Sequence, residues 1–185
     1  MINSNQASVL FKDNILIEDI IDSIPRDNHY TFMSRMGLED KEYQLVLKAF
    51  IKFISIESIL GESNFIPVNH KVDNLWHEFI LQTSFYRKFC FSLSGKRFIE
   101  HQSIGFNDYT QKESLGEVES LTHVMLWLGL HYGYFGEFSE TDMGLWTAVD
   151  FLNREMNYSL EDINEAAKNV YVDIVEQVEK LNGSV

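Results

Sequence analysis

The sequence predicts an all-α protein that folds as a single compact domain of about six helices. Along much of the chain apolar residues recur at spacings of three and four, which is the pattern of an amphipathic helix. A strong alternation of apolar and polar residues, typical of half-buried strands, is missing. The 185 residues, 45% of them hydrophobic, suffice to bury one core without disulfides or a structural metal.

The first 37 residues are predicted to form an N-terminal arm with one short helix, which ends before Pro25. Residues 25–36 are mostly polar and are interpreted as a connection. A long helix should then open at residues 38–40 and close at Gly61, a residue type that favours helix ends. The apolar stripe of this helix is Leu45, Val46, Ala49, Phe50, Phe53 and Ile54.

A helical hairpin around Trp76 and His77 is expected at the centre of the fold. Its first helix should cover residues 72–83, and its second should cover residues 85–93 and end at Gly95. Loops are expected at residues 64–69 and 105–110. The hairpin belongs to a predicted core that covers residues 38–156.

The second half of the chain predicts three further helices. The first covers residues 113–130, and the glycine-rich, aromatic segment 129–138 that overlaps its end is interpreted as turns. The second covers residues 139–152 and buries Trp146. An acidic C-terminal helix within residues 157–185 starts at Ser159 as N-cap, and the sequence leaves open whether it packs on its own domain, the default, or on another chain. Its stripe is Leu160, Ile163, Ala167, Val170, Ile174, Val178 and Leu181.

The charge balance restricts the classes of partner. The chain has 15 basic and 28 acidic residues, a formal net charge of -13. Nucleic-acid binding requires a basic surface that neutralises phosphates, and anionic membranes attract basic segments, so we expect neither partner. A basic protein partner would be attracted to this surface, although many soluble proteins are acidic without such a partner.

The single cysteine, Cys90, excludes an internal disulfide and favours a cytoplasmic protein. The first residues do not have the basic and apolar regions of a signal peptide. No apolar run approaches the roughly 20 residues that a membrane-spanning helix needs.

The segment from His70 to His101 contains the candidate functional residues. On a helix, His70, Asp73 and His77 share one face because they are three and four residues apart. Cys90 lies on the next helix, and His101 follows the turn at Gly95. Imidazole, thiolate and carboxylate groups that converge would bind zinc or iron, so His77, Cys90, His101, Asp73 and His70 are candidate ligands.

Two other interpretations of this segment remain open. In the first, the residues form a structural hairpin core in which Asp73 accepts a hydrogen bond across one turn and Cys90 is a small buried apolar group. In the second, Cys90 is a nucleophile with His77 or His101 as its base. Trp76 and Tyr86 are candidate binding residues in a recognition surface.

The run Val72-Asp73-x-x-Trp76-His77-x-Phe79-Ile80-Leu81-x-Thr83-x-x-Tyr86-x-x-Phe89-Cys90, with Gly95 and His101 after it, resembles a group of bacterial proteins described as glycine-rich-domain-containing-protein-like. The resemblance covers about thirty of the 185 residues. It implies a small helical domain with Asp73, His77, Tyr86, Cys90 and His101 at the signature positions, and no particular reaction. The relatives are expected to have a proline shortly after the second histidine, whereas Gln102 follows His101 here.

Two functions follow as expectations. The first is a small acidic cytosolic protein-binding module, comparable to an immunity or accessory protein, that engages a more basic protein. The alternative is a metal-binding protein, a metalloenzyme or an accessory of peptide modification, that uses His77, Cys90 and His101. In this alternative Asp73 is a ligand or orients His77.

Overall fold

A computed structural model describes residues 2–12, 14–61, 67–101 and 117–183, and for residues 117–120 it describes only the helical backbone. Throughout these ranges the protein is helical, has no strand and forms one compact domain. The helices are α1 (Ser4–Ala7), α2 (Ile17–Asp22), α3 (Arg26–Met36), α4 (Asp40–Leu60), α5 (His70–Leu81), α6 (Thr83–Ser92), α7 (Glu117–Phe135), α8 (Glu140–Met143), α9 (Thr147–Arg154) and α10 (Leu160–Asn182).

The described residues therefore contain ten helices, and the prediction of about six was wrong. Two of the additional helices, α1 and α8, have only four residues each and are too short for an apolar periodicity to show in the sequence. The predicted loop at residues 105–110 and the first half of the one at 64–69 lie outside the described residues. In the described part of the chain, no helix is long and apolar enough to cross a membrane.

Helix α3 replaces the predicted connection at residues 25–36. Most of its residues are polar, and only Phe32 is buried, so it has no broad apolar stripe. The signals that define it are at its ends: Pro25 precedes the first turn, and Gly37 ends the helix in the left-handed conformation, with φ of 63°.

Helix α7 continues to Phe135, so the prediction of turns over residues 129–138 was wrong for most of that segment. Gly129 and Gly133 lie inside the helix, where they bring its backbone close to α10. A Cβ at Gly129 would lie 2.7 Å from Val170 Cγ1, and one at Gly133 would lie 2.6 Å from the Tyr171 ring. The glycines therefore serve close helix packing.

The predicted helix at residues 139–152 is divided into α8 and α9 by a turn at Gly144 and Leu145. The segment before α5 binds this turn: the Asn69 side chain donates to the Gly144 carbonyl at 2.6 Å, and the Asn69 backbone N–H donates to the Leu145 carbonyl at 2.9 Å. Trp146, which follows the turn, is buried as predicted.

Helix α4 forms the centre of the core and is buried along most of its length. The α5–α6 hairpin packs on it through aromatic side chains. Phe79 of α5 contacts both Phe50 of α4 and Phe32 of α3, each with ring centroids 4.5 Å apart. These contacts fix one face of α5 in the core and leave the opposite face for the candidate site.

Helix α10 begins with the predicted cap. The Ser159 side chain accepts from the Asp162 backbone N–H at 3.1 Å, and the Asp162 carboxylate accepts in return from the Ser159 backbone N–H at 2.9 Å. Its apolar stripe packs against α7 of its own domain, which is the default expected from the sequence.

Candidate metal centre

Helix α5 places Asp73 and His77 one turn apart on its outer face. Asn69 caps the helix by accepting from the backbone N–H groups of Lys71 and Val72 at 3.0 and 3.1 Å. The opposite face is buried in the core through Val72, Leu75, Trp76 and Phe79. Burial of that face fixes the rotation of α5 and thereby the direction of the two polar side chains.

A buried hydroxyl brings His101 to the same place. Tyr86 of α6 accepts a hydrogen bond from Trp76 Nε1 at 2.8 Å and donates one to the Ile99 carbonyl at 2.7 Å. The segment after α6 is thus attached to the hairpin two residues before His101. The His101 ring then packs edge-on against Trp76, with centroids 4.3 Å apart.

Asp73, His77 and His101 converge at this point. One potential ligand atom from each of the three residues lies within 4.8 Å of the other two. His101 Nε2 donates to Asp73 Oδ1 at 2.8 Å, and His77 Nδ1 lies 3.7 Å from Asp73 Oδ2. The two imidazole rings have their centroids 4.3 Å apart.

The hydrogen bonds also determine which nitrogens carry lone pairs. His77 Nδ1 donates to the Asp73 backbone carbonyl at 2.9 Å, so its Nε2 is left with the lone pair that a metal requires. Such a bond from the second nitrogen is usual for metal-binding histidines, because it fixes the tautomer. The proton on His101 Nε2 would leave when a metal takes its place between this nitrogen and the carboxylate.

The geometry is close to that of a metal site. Ligand atoms around a tetrahedral zinc with bonds of about 2.0 Å are roughly 3.3 Å apart. Asp73 Oδ1 and His101 Nε2 lie 2.8 Å apart, which is within about 0.5 Å of that separation. The His77 side chain is 47% exposed, so the edge of its ring is accessible from solvent. Two imidazoles and one carboxylate suit zinc or iron and leave coordination positions for solvent.

Two of the five candidate ligands lie elsewhere. Cys90 is completely buried near the Tyr86 hydroxyl and the Ile99 backbone, and burial raises the pKa of its thiol. Its sulfur does not belong to the cluster of Asp73, His77 and His101. A buried thiol with a raised pKa is also a poor nucleophile. His70, the first residue of α5, is exposed and likewise outside the cluster.

The candidate binding residues Trp76 and Tyr86 are 3% and 2% exposed. Their polar groups bond to each other and to the Ile99 carbonyl, as described above, and burial raises the Tyr86 pKa. In this structure both residues therefore support the site from inside the protein.

His123 and His131 flank Trp127 about two turns apart in the sequence and are expected to be ordinary helix residues. In the structure, His131 of α7 is completely buried. Its ring stacks on Phe138 with centroids 3.8 Å apart and contacts the edge of Trp146. Neither ring nitrogen has a hydrogen-bond partner among the described residues. Burial, reinforced by the charge of Lys52, lowers the His131 pKa to about 3 despite the opposing effect of Asp142. Nothing in the sequence distinguishes this histidine from exposed ones.

Comparisons with known proteins give one family match. A family model described as UCP032817-like matches residues 27–115, slightly less than half of the chain, and this range includes Asp73, His77 and His101. The description names no activity and does not mention the glycine-rich-domain group, so that resemblance remains a prediction. Neither the search of curated proteins nor the search of solved structures found a match.

Proposed function

We propose that the protein binds a divalent transition metal, zinc or iron, through Asp73, His77 and His101. The observation that supports the proposal is their convergence within 4.8 Å, although His101 is 24 residues from His77 in sequence. Three protein ligands with an open side are typical of catalytic metal sites, whereas structural zinc sites usually have four. The exposed His77 edge gives a small ligand access to such a metal.

The same three residues would also form a structural cluster without a metal, through the Asp73–His101 hydrogen bond. Metal content separates these two possibilities. Protein purified without chelators and dialysed against trace zinc and iron should contain close to one metal per chain by elemental mass spectrometry. Asp73→Asn and His77→Ala should each lose it, because removal of one of three ligands leaves too few.

Matched controls come from the two candidates outside the cluster. His70→Ala changes an exposed histidine on the same helix, and Cys90→Ala removes the only thiol. Both variants should retain the metal of the parent protein. A folded parent protein without metal, or metal that is lost equally in His70→Ala and His77→Ala, would contradict the proposal.

A second proposal is the acidic protein-binding module in the cytosol. Its support is the outer face of α10, where Glu161, Glu165, Asp173, Glu176 and Glu179 are all exposed. A basic protein would associate with this face more slowly as salt screens the charges. In a pull-down from cytosol, a stoichiometric partner that is released by moderate salt would support this proposal, and salt-insensitive binding would contradict it.

A further inference from the structure

A polar cavity of about 540 Å³ lies between the N-terminal segment and the C-terminal end of α4. Its volume is in the range of small-molecule pockets. Asn3, Asn5 and Gln6 supply amide groups on one side, and Arg97 supplies a guanidinium on the other. It is distinct from the Asp73–His77–His101 cluster, none of whose residues lines it.

Arg97 is the unusual residue in this cavity. Its Nε atom is buried and has no hydrogen-bond partner among the described residues, and no described carboxylate forms an ion pair with its guanidinium. Arg97 as a whole is only half-buried, and a cationic group that is partly removed from water is usually paired with an anion. Since no carboxylate of the described residues pairs with it, the Arg97 guanidinium is available to an anion from outside the chain.

The surroundings of Arg97 suit an anion. None of the described residues that line the cavity is acidic. Of the α4 carbonyls nearby, that of Leu60 accepts from the Gln6 side chain, and that of Ser58 is covered by Gly95. A Cβ at Gly95 would lie only 1.7 Å from that carbonyl oxygen, so the close contact requires glycine.

The composition of the cavity indicates the chemical class of the anion. A guanidinium binds a planar carboxylate through two parallel hydrogen bonds. The cavity offers one described cationic group, which matches a single negative charge, and Val9 and Ile59 add apolar surface beside the amides. We infer that this cavity binds a small organic monocarboxylate, with its carboxylate on Arg97 and its short apolar part against Val9 and Ile59.

The test uses the whole 185-residue chain in a carboxylate-free and phosphate-free buffer. Propionate is titrated while the Arg97 Nε–H resonance is followed by ¹H–¹⁵N NMR. Propionamide, which has the same shape without the charge, is the matched ligand control, and inorganic phosphate tests for a general anion site. We expect a saturable shift with propionate, and a much weaker effect of propionamide and of phosphate.

Variants test the same inference. Arg97→Gln should weaken propionate binding roughly tenfold or more, whereas the exposed Arg87→Gln should leave it unchanged. If Arg97→Gln does not fold, Asn5→Asp is used instead, because it places a negative charge at the exposed rim of the cavity and should weaken propionate binding. Asn169→Asp on α10 is its control and should leave the binding unchanged. Equal shifts with propionate and propionamide, tighter binding of phosphate, or no saturable shift would each overturn the inference.

Discussion

At the scale of single residues, the arrangement of the candidate site depends on the Tyr86 hydroxyl. It joins Trp76 Nε1 to the Ile99 carbonyl through bonds of 2.8 and 2.7 Å. Through these bonds one buried oxygen links α5 to the segment that carries His101. The position of the third candidate ligand therefore depends on a residue that does not itself touch the site.

We predict that Tyr86→Phe destabilises the protein and weakens metal binding. The substitution leaves the Trp76 N–H and the Ile99 carbonyl buried without a partner, at a cost of about 1–3 kcal/mol. Urea unfolding of the metal-free protein measures this cost, and calorimetric titration with zinc measures the affinity. Tyr158→Phe, at a tyrosine that is 46% exposed, should change neither quantity. Unaltered stability and zinc affinity in Tyr86→Phe would contradict the assigned role.

His131 gives a prediction of pH dependence. Its pKa is about 3 in the folded protein against 6.5 for an ordinary histidine, so between these values only the unfolded chain takes up the proton. Stability is therefore present above pH 6.5 and is lost as the pH falls toward 3. Well inside this window the loss is about 1.4 kcal/mol per pH unit.

We predict that His131→Phe removes this dependence, because phenylalanine fits the aromatic surroundings and cannot be protonated. Between pH 7.5 and 5.0 the original protein should lose about 2 kcal/mol more of its unfolding free energy than the variant. Chemical denaturation at both pH values gives the difference. The exposed His70→Phe should behave like the original protein, and parallel pH profiles for His131→Phe and the original would show the assignment to be wrong.

At the scale of elements, long helices could be predicted from the sequence and close helix contacts could not. The apolar stripes of α4 and α10 are broad and periodic, and the predicted cap at Ser159 is present. The glycines of α7 suggested turns because glycine is common in both turns and tight helix contacts. The positions of the α10 side chains show that Gly129 and Gly133 are glycines because α7 and α10 are in close contact there.

We predict that Gly133→Ala destabilises the α7–α10 contact. The new Cβ would lie 2.6 Å from the Tyr171 ring and 2.8 Å from Phe11 Cε1, and these two rings already pack edge-on against each other with centroids 5.3 Å apart. Overpacking of this kind costs about 1–3 kcal/mol. Gly144→Ala is the control, because nothing lies within 4 Å of its Cβ position. Equal thermal stability of the two variants would refute this explanation of the glycines.

At the scale of the whole molecule, the sequence predicted the all-α class and identified the segment that contains the candidate site. It could not determine which of its polar residues meet. His101 is distant from Asp73 in sequence, and the Tyr86 bonds to Trp76 and Ile99 attach the segment in which His101 Nε2 lies 2.8 Å from Asp73 Oδ1. Cys90 was a plausible ligand by residue type, but the rotation of α6 buries it beside Tyr86.

We predict that zinc stabilises the whole domain. A metal that binds only the folded state adds about 2.7 kcal/mol at a free concentration of 100 times its Kd. Thermal unfolding should therefore shift upward with zinc and return with a chelator. His77→Ala should show no such shift although its metal-free stability stays near that of the parent, because this side chain is half exposed. An equal shift in His77→Ala would place the zinc elsewhere.

The most direct test of the proposed metal site is zinc K-edge X-ray absorption of the zinc-loaded protein, since it measures the ligands themselves. If Asp73, His77 and His101 hold the metal, the spectrum contains nitrogen and oxygen neighbours at about 2.0–2.2 Å, including two imidazoles, and no sulfur. A sulfur neighbour at about 2.3 Å would identify Cys90 as a ligand, and a spectrum without imidazole neighbours would exclude His77 and His101 as ligands. Either result would contradict the proposed site.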